Sequence, residues 1–187
     1  SNVAHHQERV SKLACAIARE MGLDNGRVDV VGLAALLHDL GMMFIPQATL
    51  EKRGELSEAQ LQTVKDHAEA EYQILKTIDL FCPVAEIVHQ HHERLDGSGY
   101  PAGLKGEAIL LEARIIAVAD VVEAFHVSRD AGLKIVAHMM PGLPGCDFRK
   151  DFDSFTRLFQ APQFRPDMIK IYPCLVMEGT ELYQWWK

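Results

Sequence analysis

Asp120 lies inside the run IIAVADVVEA, an acid flanked on both sides by apolar residues. From about Leu111 to Val127, the residues Leu111, Ile115, Val118, Ala119 and Val122 fall on one face at helical period. A carboxylate on a buried helical face costs several kcal/mol unless something cationic receives it. Whatever fold this chain adopts must therefore bring positive charge to the middle of one of its own helices. Arg114 and Arg129 are candidates on the same segment, and a metal ion shared with other side chains is another.

Four earlier segments show the same period, and each brings a histidine. Over about Ala4–Met21, the set Val10, Leu13, Ala14, Ile17, Ala18 and Met21 predicts an amphipathic helix, with His6 near its start and Gly22 as its stop. A second helix is expected over Val28–Leu40, apolar on nearly all sides and so buried, with His38-Asp39 before the stop signal Gly41. Ser57 and Gln60 form a capping-box signature for a third, Glu58–Thr77, with Leu61, Val64, Ala68, Ile74 and Leu75 inward and His67 midway. Pro83 suits the first turn of a fourth, carrying Val84, Ile87, Val88 and His91 and closed by His91-His92.

A single histidine on an apolar helix is usually a hydrogen-bonded core residue. Here five successive helices each contribute an imidazole or an acid, and hydrogen bonding must then explain several separate coincidences. Imidazole together with carboxylate suits iron, manganese, nickel or zinc. Between the fourth and fifth helices runs HHERLDGSGYPAGLKG, residues 91–106, with four glycines and a proline that neither helix nor strand favours. Glycine serves where a backbone turns tightly and approaches a ligand closely.

Charge bounds the partners. A net charge of -7 argues against a general nucleic-acid binder, which needs a basic face. A small anionic substrate stays open, because a local metal site outweighs the global charge. Cys15, Cys82, Cys146 and Cys174 are scattered without a CxxC spacing, which points to buried thiols of a cytoplasmic protein rather than a zinc ribbon or iron–sulfur motif. The apolar run Val30–Leu37 is too short to span a bilayer, so no membrane segment is expected. The chain starts without methionine, as expected of a cut segment with Ser1-Asn2 as a cloning remnant.

After Arg129 the grammar changes. LKIVAHMM (Leu133–Met140) is a β-branched apolar run closed by PGLPG, FRKDFDSFTRLFQ is helical with Phe148, Phe152, Phe155, Leu158 and Phe159 inward, and MIKIYPCLVM is a second strand candidate. Strand–helix–strand predicts a parallel pair. The expected architecture is mainly α, a helical bundle over 1–129, with a strand–helix–strand appendage over 130–187.

The phrases HHQERV, AALLHDLG, KDH, HHERLDGSGYPAGLKGEAI and EARIIAVADVVEAF, in that order and spacing, resemble the HD-GYP subgroup of HD-domain metal phosphohydrolases over about residues 4–129. The resemblance implies an all-α fold, two divalent metal ions (iron or manganese), and hydrolysis of cyclic di-GMP to pGpG or GMP by a metal-bridging hydroxide. Asp39 would bridge the ions, with His6, His38 and Asp120 on one side and His67, His91 and His92 on the other, a division the sequence leaves open. Gly97, Gly99, Tyr100 and Pro101 would meet the phosphate-bearing ligand, the loop offering backbone N–H groups. Arg114 and Lys105 would neutralise phosphate charge, although a solvated surface charge is the plainer reading of Lys105. An upstream sensory or receiver domain, or a diguanylate cyclase-type partner, is implied as well.

Three positions depart from that pattern. Met42 stands where a lysine is usual, Asn2 where trinuclear members carry a glutamate, and Glu71 where glycine is common, the last a minor change. The second departure favours a two-metal site. The tail differs more. HMMPGLPG, FRPDMIKIYP and GTELY resemble the radical-SAM core of elongator-type tRNA acetyltransferases over about residues 131–187, without that family's three-cysteine cluster motif. A chimera is the expectation, and the tail is not expected to perform radical chemistry. Beside the phosphodiesterase stand two other readings, a degenerate metal- or nucleotide-binding signalling module and a tRNA-modification fragment.

Overall fold

The computed structural model describes residues 2–52, 54–78, 82–139, 148–162 and 165–171. In chain order its elements are α1 (Asn2–Glu20), α2 (Asn25–Leu37), α3 (Gln47–Leu50), α4 (Glu58–Lys65), α5 (His67–Leu75), α6 (Val84–His89), α7 (Leu111–Asp130), β1 (Val136–Met139), α8 (Phe148–Gln160) and β2 (Met168–Ile171), with short 3-10 helices at Leu40–Phe44 and Gly106–Ala108. The architecture is mainly α. The chain divides into two compact units, Ser1–Glu123 and Ala124–Lys187.

In the first unit α1 and α2 pack as an antiparallel pair joined by Gly22 in left-handed conformation and by Asp24, which caps α2 by accepting the Arg27 N–H at 3.0 Å. The small face of α2, with Gly32, Ala34 and Ala35, is buried, and a Cβ on Gly32 would lie 2.8 Å from Cys15 Sγ. That close approach turns the larger Leu33 and Leu36 outward, so α2 is one-sided, contrary to its expected burial on nearly all sides. Around this pair the buried core gathers Val10, Val31, Leu75, Ile87, Ile116 and Ala119, drawn from α1, α2, α5, α6 and α7. Met21, Leu61 and Val118, expected to face inward, are exposed.

Two helices end earlier than their apolar periods suggest. α2 stops at Leu37, leaving His38 and Asp39 at a corner before the 3-10 helix. The expected third helix is two, broken at Asp66. Its cause is competition for one carbonyl. Val64 O is taken by His67 Nδ1 at 2.5 Å and by the Asp66 N–H, where a continuous helix would give it to residue 68. The capping box of Ser57 and Gln60 forms as expected.

In the second unit β1 and β2 pair in parallel, with Val136 opposite Met168 and Met139 opposite Ile171. The expected strand–helix–strand order is present, though both strands are short. Residues 140–147 and 172–177, which include PGLPG and the rest of the second strand candidate, lie outside the described residues. Arg129 donates to the carbonyls of Pro162 (2.7 Å) and Arg165, and Asp167 Oδ2 accepts the Ile135 N–H at 2.8 Å.

Candidate metal centre

All the expected ligand side chains come from the first unit. His6 is on α1, His38 and Asp39 occupy the corner after α2, His67 opens α5, His91 and His92 lie in the turn after α6, and Asp120 is on α7. Two pairings hold α1 to α7 a turn apart. His6 Nε2 sits 3.2 Å from Asp120 Oδ1, and three residues along each helix Arg9 meets the buried Glu123.

Three imidazoles are oriented by their own helices. Nδ1 of His38 lies 2.8 Å from Ala35 O, that of His67 2.5 Å from Val64 O, and that of His91 2.5 Å from Val88 O. A carbonyl only accepts, so each Nδ1 carries the proton and donates, and each neutral ring presents Nε2 as a bare lone pair. All three Nε2 atoms are buried with no hydrogen-bond partner. Their rings converge, with centroids 5.3 Å apart for His38 and His91, 5.6 Å for His67 and His91, and 5.0 Å for His67 and His92.

The ligand atoms fall into two groups, His67 with His91 and His92, and His6 with His38 and Asp39, each within 4.8 Å of one another. Asp39 Oδ2 stands 3.3 Å from His38 Nε2 and 3.8 Å from His6 Nε2. Asp120 Oδ1 is 3.9 Å from His38 Nε2. A lone pair aimed at two carboxylate oxygens requires a cation between them. Without a metal, a proton serves: burial would lower His38, but Asp120 and Asp39 outweigh it and raise its pKa to about 9. Burial also opposes ionisation of Asp120, and the His38 and His6 imidazoles that face it overcome that, holding the carboxyl well below the usual range. The imidazole group behaves oppositely. Burial, reinforced by neighbouring histidines, holds His91 well below its ordinary value and His92 at about 3. Imidazole nitrogens held unprotonated by burial at His91 and His92, beside the His6 and His38 rings that face carboxylates, form a donor set that fits divalent transition metals.

The glycine-rich loop is organised by a residue the sequence reading passed over. Glu93, buried, accepts N–H groups from Ala102 (2.7 Å), Gly103 (3.0 Å) and Leu104 (3.0 Å). Gly97 N bonds Arg94 O, Ser98 N bonds Asp96 Oδ1, and Tyr100 N bonds His92 O. The Gly97 and Tyr100 amides are thus engaged inside the loop rather than turned outward to a ligand. Gly99 is dictated by sterics, since its Cβ would lie 2.4 Å from Arg94 N. The loop sets the Tyr100 ring against His92, stacked at 4.7 Å, while Pro101 is exposed. Burial pushes the Tyr100 hydroxyl up to about 12.

The two expected phosphate cations are engaged within the fold. Arg114 forms paired 3.1 Å bonds with exposed Glu107, and the methylenes of Lys105 run beneath Gly97, where a Cβ would lie 2.3 Å from Lys105 Cε. Lys65 instead holds its ammonium 5.5 Å from the Tyr100 ring centroid. Glu71, treated as a minor change, is fully buried, its pKa raised to about 8 by that burial. Its signal was available, because four residues after His67 is the same inward face.

The HD domain family matches residues 1–134. The chain is 44% identical over 124 residues to the cyclic di-GMP phosphodiesterase response regulator RpfG of Xanthomonas campestris, covering 65% of this chain and 33% of that protein. It is 53% identical over 70 residues to the tRNA uridine(34) acetyltransferase of Methanocaldococcus jannaschii, covering 37% of this chain and 13% of the relative. The chain thus spans about a third or less of these relatives' lengths. Among solved structures, Bd1817, an HDG"Y"P protein from Bdellovibrio bacteriovorus, superposes with TM-score 0.59 at 23% identity over 85% of this chain and 46% of that one, a likeness of fold.

Proposed function

The chain belongs to the HD-domain family, with the HD-GYP signature at residues 91–106, and from that premise we propose that its first unit is a metal-dependent phosphodiesterase of cyclic dinucleotides, cyclic di-GMP foremost. The observation that carries the reading is the set of three buried Nε2 atoms, on His38, His67 and His91, each turned to the centre by an Nδ1–carbonyl bond and left without a hydrogen-bond partner. His6, His38, Asp39 and Asp120 would hold one ion and His67, His91 and His92 the other, with Asp39 between them. When bound there, two divalent ions, iron or manganese, would supply Lewis acidity toward a phosphate and lower the pKa of a bound water.

The rest falls to the chain's own residues. Nδ1 bonds hold the imidazoles in register, so ligand geometry is set before substrate arrives. Tyr100, stacked on His92, and the Lys65 ammonium above it form a rim suited to a phosphate or a guanine face. The similarity to RpfG supports cyclic di-GMP as substrate, pGpG or GMP as product, and a sensory or receiver domain, or a diguanylate cyclase-type partner, upstream in the signalling route. Among the described residues no helix is long and apolar enough to cross a membrane. The segment over about 130–187 we take as a fragment of an acetyltransferase-type protein joined to this unit, a chimera, supported by the second similarity.

The test combines metal analysis after anaerobic reconstitution with chromatography of products from cyclic di-GMP, 3'3'-cGAMP and cyclic di-AMP. Two equivalents of metal and release of a linear dinucleotide or GMP are expected. Met42 favours a second reading, a metal-binding module with little turnover, since a thioether carries no charge to a phosphate. Bound metal without product would support that reading. Met42→Lys should raise turnover, and an unchanged rate would remove Met42 as its reason.

A further inference from the structure

The corner that carries Asp39 opens a 3-10 helix, Leu40–Phe44, whose first N–H groups have no partner inside the turn. An aspartate at this cap position ordinarily folds its carboxylate back onto those N–H groups. Asp39 does not. It makes no side-chain cap hydrogen bond, and its Oδ2 is aimed at the imidazoles, 3.3 Å from His38 Nε2 and 3.8 Å from His6 Nε2.

The cap comes from another helix. Glu71 Oε1 accepts the Leu40 N–H at 3.0 Å, and the Gly41 N–H is turned to the same carboxylate. Glu71 is fully buried on α5, one turn after His67. The approach depends on Gly41, where a Cβ would lie 2.2 Å from His67 O and 3.2 Å from Glu71 Cβ. The first turn of α5 therefore rests directly on the corner after Asp39. One segment supplies both a ligand, His67, and the group that secures the peptide beside a second ligand.

We infer that Glu71 is a positioning residue that caps the turn after Asp39 in place of Asp39 itself, and so leaves the Asp39 carboxylate to the cation site. The inference rests on the metal-centre reading above. It gives a buried acid that looked like a neutral change a definite task.

Manganese titration of the full chain tests it, with Glu71→Gln and Glu71→Leu beside the wild type. Glutamine keeps an oxygen that accepts the Leu40 N–H, whereas leucine fills the space without an acceptor. The Gln variant should bind Mn2+ close to wild type, and the Leu variant about 10–100-fold more weakly, the range for losing a group that orients a ligand. Equal affinity in the Leu variant, or equal loss in both, overturns the inference. Should Glu71→Leu fail to fold, amide hydrogen exchange in the wild type and the Gln variant decides. Slow exchange at Leu40 and Gly41 in both is expected, and exchange at the rate of an open turn overturns it. A wild-type chain that takes up no Mn2+ also overturns it, since Asp39 would have no ion to serve. Uptake of Mn2+ without turnover sinks only the phosphodiesterase reading.

Discussion

The two halves of the centre meet the same electrostatic problem with different chemistry. His67, His91 and His92 form a group of imidazoles alone, and burial holds His92 at about 3. His6 and His38 meet Asp39 and Asp120, and there the acids outweigh burial and raise His38 to about 9. The acid half can hold itself together with a proton, as an imidazolium among carboxylates. The imidazole half cannot, because a second positive charge among buried rings is disfavoured and bare lone pairs repel. A bound cation therefore matters most to the half that has no acid, and in the proposed centre Asp39, grouped with His6 and His38, is the carboxylate that would serve both halves.

The largest effect is expected where the halves meet. Asp39→Asn keeps the size of the side chain but removes its charge, and kcat for cyclic di-GMP should fall by at least about a thousandfold, roughly 4 kcal/mol of transition-state stabilisation. A variant that retained two metals and full turnover would break the claim that this carboxylate serves both sides. Next comes His91→Ala, which leaves its half with two imidazoles and no acid. Metal content should drop by one equivalent and kcat by about a hundredfold. His6→Ala should lose less of either, since His38, Asp39 and Asp120 remain. Equal losses in the two variants, by mass spectrometric metal analysis, would erase the distinction between the halves.

The metal-free chain gives a second way to separate them, because their pH dependences have opposite signs. His38 has a raised folded pKa, so its contribution is fully present below its unfolded value of 6.5 and is lost as pH rises through about 9. His92 has a lowered folded pKa, so the unfolded chain takes up the proton first and stability falls as pH drops from 6.5 toward about 3. Thermal melts in chelator should show a maximum between these limbs. His38→Ala should flatten the alkaline limb, and His92→Asn should shrink the acid limb, to which His91 also contributes.

How much of this was legible beforehand differs by residue. The order of the histidine-bearing helices and the seven side chains that converge at the candidate centre could be read from periodicity and from the phrases around HD and GYP, because converging side chains must face inward and inward positions repeat. Helix ends were not legible where an imidazole competes for a carbonyl, as His67 does for Val64 O, since apolar period carries no record of that bond. Glu71 and Glu93 were missed for a related reason. Each acts by accepting backbone N–H groups of another segment, and the sequence shows the acceptor but not which peptide comes to it. The pairing of Arg114 with Glu107 was not legible either, because Glu107, in a short 3-10 helix seven residues before it, is brought to the guanidinium only by the folded loop. In the tail, strand–helix–strand order was legible. Among the described residues, however, every buried apolar side chain lies in the first unit, and Val136, Phe152, Met168 and Ile171 are exposed.

The smallest expected effect sharpens the comparison at its rim. Tyr100 covers the imidazole half through its stack on His92, and Lys65 stands over that ring, among the described residues without an ion pair. Its ammonium stands at this edge of the centre, while the guanidinium of Arg114 is held by Glu107. Lys65→Met keeps the aliphatic stem against the ring and removes the charge. KM for cyclic di-GMP should rise about fivefold, roughly 1 kcal/mol, with kcat nearly unchanged, as expected of a contact made equally in bound substrate and transition state. Lys65→Arg should restore KM, because a guanidinium also stacks on tyrosine and binds phosphate. A fall in kcat at constant KM would instead move Lys65 from the rim into the chemistry. No change in either would leave the imidazole half to recruit substrate through its metal alone.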